Sequence, residues 1–246
     1  MRFQGITALA ATMLMSGSAA LGASATAVST SSYGGSSSAS ATAYGNADST
    51  AIAGATRGGR AVADSVAVGT RNGRAISDAI ATADRGLAIS NSWADADGSV
   101  YDRQSGGGDA LATSESVAGA IGGVAISNSD AIARGWLGGV ARSRSFSTAL
   151  SRWGFADSNS RAISRGWFGG QANSVSDSIA DSDGGVAVSD VLSDSEAGYH
   201  ATADADGIGL SVSGRHRHSR VQARSISRGR NFGRDRTRAT AIEVRR

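Results

Sequence analysis

The chain has 246 residues and a net charge of +3, with 34 Gly and neither Pro nor Cys. All 24 cationic residues are Arg. The absence of Lys excludes a phosphate-loop lysine and Schiff-base chemistry, and the absence of Cys excludes thiol nucleophiles, thiolate metal sites and disulfides. Much of the 40% hydrophobic content is Ala, and aromatic residues make up only 5%. A fold of this composition rests on many small contacts and a complete backbone hydrogen-bond ladder, because an Ala methyl contributes only ~0.8 kcal/mol on burial against ~1.5–3 for a large apolar side chain.

Residues 1–25 read as an export signal. Arg2 supplies a positive charge, the run from Ile6 to Met15 is apolar, and Ala23-Ser24-Ala25 offers a small-x-small cleavage site, with cuts after Ala20 or Ala23 as alternatives. The run is too short for the ~20 residues of a membrane-spanning helix, and no other segment offers an integral membrane span. This reading places the protein outside the cytoplasm, secreted or at the cell surface. Residues 26–47, rich in Ser, Ala, Thr and Gly, form a low-complexity segment, flexible or weakly strand-forming.

Residues 48–213 carry a repeat. Glycines 107, 123, 139, 154, 170 and 185 lie 15 or 16 residues apart, preceded by Gly59, Gly73 and Gly86 at shorter steps. A Gly-x-Ala-x-Ser-x-Ser pattern follows, as in Gly123-Val-Ala125-Ile-Ser127-Asn-Ser129 and Gly154-Phe-Ala156-Asp-Ser158-Asn-Ser160. Strict alternation is the period of a β-strand, and a fixed unit length is the mark of a stacked array. The expected fold is all-β, a β-solenoid or β-roll of ~15–16-residue repeats. If each unit forms one rung, ~10 units at ~4.8 Å give a rod of ~50 Å.

Two assignments of the faces are open. One phase holds almost only Ala, Ser and Gly, while the other accepts Val, Ile, Asn, Asp and Arg. Tolerance of charge favours the variable phase as the wet one and the small residues as a thin core, with sheets closer than the usual ~10 Å and buried serines hydrogen-bonded. The alternative puts the Val and Ile columns inside.

The segments Asp48-Ser49-Thr50-Ala51-Ile52-Ala53, Asp64-Ser65-Val66-Ala67-Val68-Gly69 and Ala75-Ile76-Ser77 resemble the head repeats of trimeric autotransporter adhesins. That resemblance covers residues 45–95 and implies a β-roll. The chain lacks the heptad stalk and the alternating membrane-anchor segment of that family, so neither trimerisation nor anchoring is implied.

Residues 214–246 form an Arg-rich tail. Eleven Arg stand there against Asp235 and Glu243, which leaves the rest of the chain net acidic. Such asymmetry marks an interaction segment, and Arg215, Arg217, Arg220, Arg224, Arg228, Arg230, Arg234, Arg236 and Arg238 are candidates for holding an anionic surface polymer. Trp136 and Trp167 sit in near-identical Arg-Gly-Trp hexapeptides, with Trp153 between them. With Arg134 and Arg165 they are candidate glycan contacts, the competing uses being packing and a partner interface. Three Asp-x-Asp-Gly stretches, holding Asp95 and Asp97, Asp181 and Asp183, and Asp204 and Asp206, read as polar turns whose carboxylates suit Ca²⁺. His216 and His218 are flanked by Arg215 and Arg217, which oppose a bound cation. No nucleophile elbow and no dinucleotide fingerprint occurs, so the functional expectation is a non-enzymatic protein with a structural, adhesive or matrix role, pairing with itself as an oligomer or fibre. A ligand-binding module and a disordered secreted polymer are the alternatives.

Overall fold

A computed structural model describes residues 23–32, 35–70, 73–98, 109–135, 140–152, 154–166, 171–183, 186–197, 202–213, 219–229 and 234–245. These residues form fifteen strands: β1 (Ala23–Ser31), β2 (Ser36–Gly45), β3 (Ala47–Ala55), β4 (Arg60–Gly69), β5 (Arg74–Asp84), β6 (Leu87–Gly98), β7 (Ala110–Ile121), β8 (Val124–Gly135), β9 (Val140–Arg152), β10 (Phe155–Gly166), β11 (Gln171–Asp183), β12 (Val186–Ala197), β13 (Thr202–Ser213), β14 (Ser219–Gly229) and β15 (Arg234–Arg245). The odd strands make one sheet in sequence order and the even strands the other. All pairings are parallel, each strand hydrogen-bonding to the strand two places along. The chain is therefore a two-sided parallel β-solenoid.

Each 15–16-residue unit is one strand, and the units alternate between the sheets. A turn of the solenoid consumes two units, as in the register Phe155↔Val124. The one-unit rung is thus corrected. Eight stacked strands span only ~34 Å at the ~4.8 Å strand spacing. The strands run from 9 to 13 residues, so one strand and its turn use up a whole unit, and the return along the second sheet needs the next one.

The limits of the ladder also differ from the repeat-based ones. β1 and β2 lie within residues 26–47 or just before them, so this stretch takes its strand-forming alternative. β14 and β15 lie within the Arg-rich tail. A parallel ladder asks only for backbone and for small inward residues, and Ser37, Ala39, Ala41 and Ala43 meet that requirement as well as any later unit. The expected signal segment, residues 1–25, lies almost wholly outside the described residues.

The small phase is the buried one. Burial alternates along the strands, with Ala61, Ala63, Ser65 and Ala67 of β4 or Ala172, Ser174, Ser176 and Ser178 of β11 essentially inaccessible. The largest side chains among those buried below 2% are serines. Their hydroxyls bridge the two sheets. Ser127 Oγ of β8 donates to Ser116 O of β7 at 2.7 Å, Ser147 Oγ of β9 to Ser127 O at 2.6 Å, and Ser158 Oγ of β10 to Ser147 O at 2.8 Å. A parallel file runs through Ser129 to Ser114 O, Ser145 to Ser129 O and Ser160 to Ser145 O, each at 2.6 Å. A serine hydroxyl reaches the backbone of the facing sheet directly, so one layer of short side chains separates the sheets, well inside the ~10 Å of conventional stacking. Each such bond contributes ~1 kcal/mol net, and each hydroxyl left unpaired costs ~1–3 kcal/mol. The composition of the core therefore selects Ser and Ala together.

The repeat glycine has a steric cause. The amide of Val124 donates to Gly86 O at 3.0 Å and that of Phe155 to Gly123 O at 3.1 Å, which stacks Gly59, Gly86, Gly123 and Gly154 at one corner of successive turns. A Cβ at Gly86, Gly123 or Gly154 would overlap the carbonyl oxygen of the glycine one turn below. Any other residue at these corners would push the turns apart.

Candidate binding surfaces

With the core filled, chemistry is confined to the outward phase, where parallel in-register pairing collects equivalent positions into columns. On the even sheet, Asp64, Asn91, Asn128, Asn159 and Asp190 fall in one column. Asn91 Nδ2 donates to Asp64 Oδ1 at 2.7 Å, Asn128 Nδ2 to Asn91 Oδ1 at 2.9 Å, and Asn159 Nδ2 to Asn128 Oδ1 at 3.0 Å. This amide ladder stops at Asp190, whose Oδ1 is buried without a hydrogen-bond partner. The next column holds Val66, Trp93, Asp130 and Arg161. Burial raises the Asp130 carboxyl above its ordinary value, partly offset by the Arg161 guanidinium. Trp93, half-buried on β6, is the one tryptophan among the described residues.

On the odd sheet, Val28, Ile52, Ile80, Val117, Thr148, Ile179, Leu210 and Ile242 form a single outward column through all eight strands. Val28 is 65% exposed and Ile242 45%. An apolar stripe of that continuity marks an interaction surface rather than isolated surface residues. Beside it lie carboxylates. Burial, with Glu115 and Asp48 nearby, raises Asp78, and burial with Asp206 raises Asp177. A shallow groove beside the stripe is lined by Thr82, Gly119, Ile121 and Leu150, with Asp84 and Arg152 among its polar lining residues.

The expected site residues are dispersed over these faces. Arg134 Nη1 pairs with Asp95 Oδ1 at 2.8 Å, and Arg165 Nε approaches Glu196 Oε2 at 4.0 Å. Both arginines are thus engaged by carboxylates of the neighbouring strand. Trp136, Trp153 and Trp167 lie outside the described residues, as do His216, His218, Arg215, Arg217 and Arg230. Arg220, Arg224 and Arg228 are exposed on the outward phase of β14, roughly 13 Å apart along the strand. Arg236 and Arg238 are exposed on β15, in register with Asp204 and Asp206 of β13. Arg234 stands in register with Thr202.

The Asp-x-Asp stretches are not turns. Asp95 and Asp97 lie in β6, Asp181 and Asp183 at the end of β11, and Asp204 and Asp206 near the start of β13. The first pair is on the even sheet and the others are at opposite ends of the odd one, so stacking does not pool their ligands. Alternation carries these residues on as strand because their partners Ala96, Ser182 and Ala205 fit the core. Among the described residues no group of three or more acidic or imidazole side chains is placed to hold a metal.

Sequence reasoning missed the amide ladder, the apolar stripe and Trp93. The outward residues are visible in the sequence, but their columns depend on register across units of 24 to 37 residues, which the glycine alignment did not fix. No helix among the described residues is long and apolar enough to cross a membrane. No protein-family model, curated protein or solved structure matches the chain.

Proposed function

We propose that this chain is an exported, non-enzymatic scaffold with an adhesive or matrix role at the cell surface. The observation that supports this most is the conversion of its outward phase into long columns of like side chains, above all the apolar column from Val28 to Ile242. Such a surface repeats one weak contact at every second strand, which suits avidity toward an extended partner rather than chemistry at a point. Arg220 and Arg224, whose register neighbours Val188 and Leu192 are uncharged, add a cationic end suited to an anionic polymer. Antibody detection on fractionated producing cells tests the reading. Protein in the surface or extracellular fraction is expected, and retention in the cytoplasm overturns it.

A second reading, glycan binding, draws support from Trp93, which stands beside the amide ladder with apolar Val66 on one side. An aromatic face next to amide donors and acceptors is the chemistry that holds sugar rings. Binding on a glycan array that Trp93→Ala abolishes would select this reading over simple scaffolding.

A further inference from the structure

The two ends of the solenoid are chemically unlike. β1 and β2 close the N-terminal end, β14 and β15 the C-terminal end, and each end strand has one paired edge. From Ala23 to Ala47 there is no charged residue. The inward positions of β1 and β2 keep the small-residue pattern of the interior, and Ala25 and Ala27 pack against the core while remaining partly exposed. At the other end the pattern breaks. Asp235, Glu243 and Arg245 of β15 stand in register with the inward Ala203, Ser211 and Ser213 of β13. β14 and β15 together carry seven Arg.

An open strand edge is a template for another strand, and natural proteins blunt it with charge. Among the described residues, only the C-terminal end strands carry such charge. Stacking a further turn on β15 would enclose Glu243, in register with the inward Ser211, between sheets spaced for Ala and Ser, where a carboxylate has neither room nor water. Stacking on β1 and β2 meets neither obstacle among the described residues, and would complete the burial of Ala27.

We propose that two copies of this chain join through their N-terminal ends, β1 and β2 pairing antiparallel with the same strands of the second copy about a two-fold axis, and that the charged C-terminal strand stops growth there. The assembly is a closed dimer and not a fibre. It is isologous, because the same edge serves both copies. This rests on the scaffold reading only for its purpose, since a double-length rod doubles the columns available to a partner.

Sedimentation velocity and light scattering of the full chain over a dilution series test it. A discrete species of twice the chain mass is expected. A monomer at every concentration, or open-ended growth, overturns it. Thr26→Arg with Thr30→Arg changes exposed outward positions of β1, leaves the interior untouched, and sets like charges across the two-fold. This variant is expected to sediment as a monomer with an unchanged β-type circular dichroism spectrum, and a persistent dimer counts against the proposal. The triple variant Asp235→Ala, Glu243→Ala, Arg245→Ala removes the stop and is expected to assemble beyond the dimer. Unchanged size would show that these charges do not limit growth. A monomeric parent found outside the cell ends this proposal and leaves the scaffold reading standing, whereas a dimer confined to the cytoplasm does the reverse.

Discussion

Val191 and Gly207 face each other across the core, and a Cβ placed on Gly207 would lie 3.0 Å from Val191 Cγ1. Val191 is 5% exposed, a large residue in a phase given mostly to Ala, Ser and Gly. Gly209 makes the same accommodation for Val221 and Val191, its Cβ position falling 2.9 Å from Val221 Cγ1. Near its C-terminal end the core thus trades a pair of small residues for a large one opposite none. Gly207→Ala is expected to destabilise the fold by ~1–3 kcal/mol, the usual cost of overpacking. Combining it with Val191→Ala should recover part of that loss. Denaturant titration of the two single variants and the double variant gives the coupling, and strict additivity would mean that the two residues do not compensate.

Gly123→Ala is expected to be worse. The overlap there is with the carbonyl of Gly86, and backbone cannot rotate away as a valine can. A loss of at least ~2–3 kcal/mol, and a fall in midpoint temperature, should follow. Ala at Gly119, where the nearest atom to a new Cβ is the Thr82 methyl at 3.9 Å, serves as the control and should be tolerated.

Asp190→Asn should stabilise the protein. It places an amide after Asn159, so that its Nδ2 can donate to Asn159 Oδ1 and continue the ladder built by Asn91, Asn128 and Asn159. It also removes a carboxylate that raises Asp157 by repulsion. A gain of ~0.2–1 kcal/mol at neutral pH is the scale for such cross-strand pairs. Thermal unfolding measures it, and a lower midpoint would show that Asp190 is better satisfied as the acid.

The pH dependence of stability follows from four outward carboxylates. Asp78, Asp130, Asp157 and Asp177 all lie above the ordinary value of 3.8, mainly through burial. Between that value and their folded values the native state holds more protons than the unfolded chain. Stability contributed by these groups therefore falls as pH rises through the window and is regained on acidification. The contribution of these groups to the midpoint temperature should be higher at or below pH 3.8, where both states become protonated, than at neutral pH. A profile that falls steadily on acidification would show that these groups are not raised. Asp78→Asn should flatten the dependence, since it removes one raised carboxyl and relieves its repulsion with Glu115 and Asp48.

The sequence by itself determined the strand content, because alternation with period two leaves no helical solution. It left two assignments of the faces open, and only the burial of residues such as Ala125, Ser127 and Ser129 against the facing sheet selected the small-residue core. It also marked the corners, because only glycine fits beneath Gly86 or Gly123. The pairing of units did not follow from it. A run of 15 or 16 residues is compatible with one rung or half of one, and only closure of the coil assigns β8 and β10 to one sheet and β9 to the other. Register was decided there as well. It set Arg236 beside Asp204, drew the amides of Asn91, Asn128 and Asn159 into one ladder, and aligned Val28 with Ile242 through six intervening strands. Periodicity along a chain fixes which way a side chain points, whereas its lateral neighbours are fixed by contacts between residues two dozen or more positions apart.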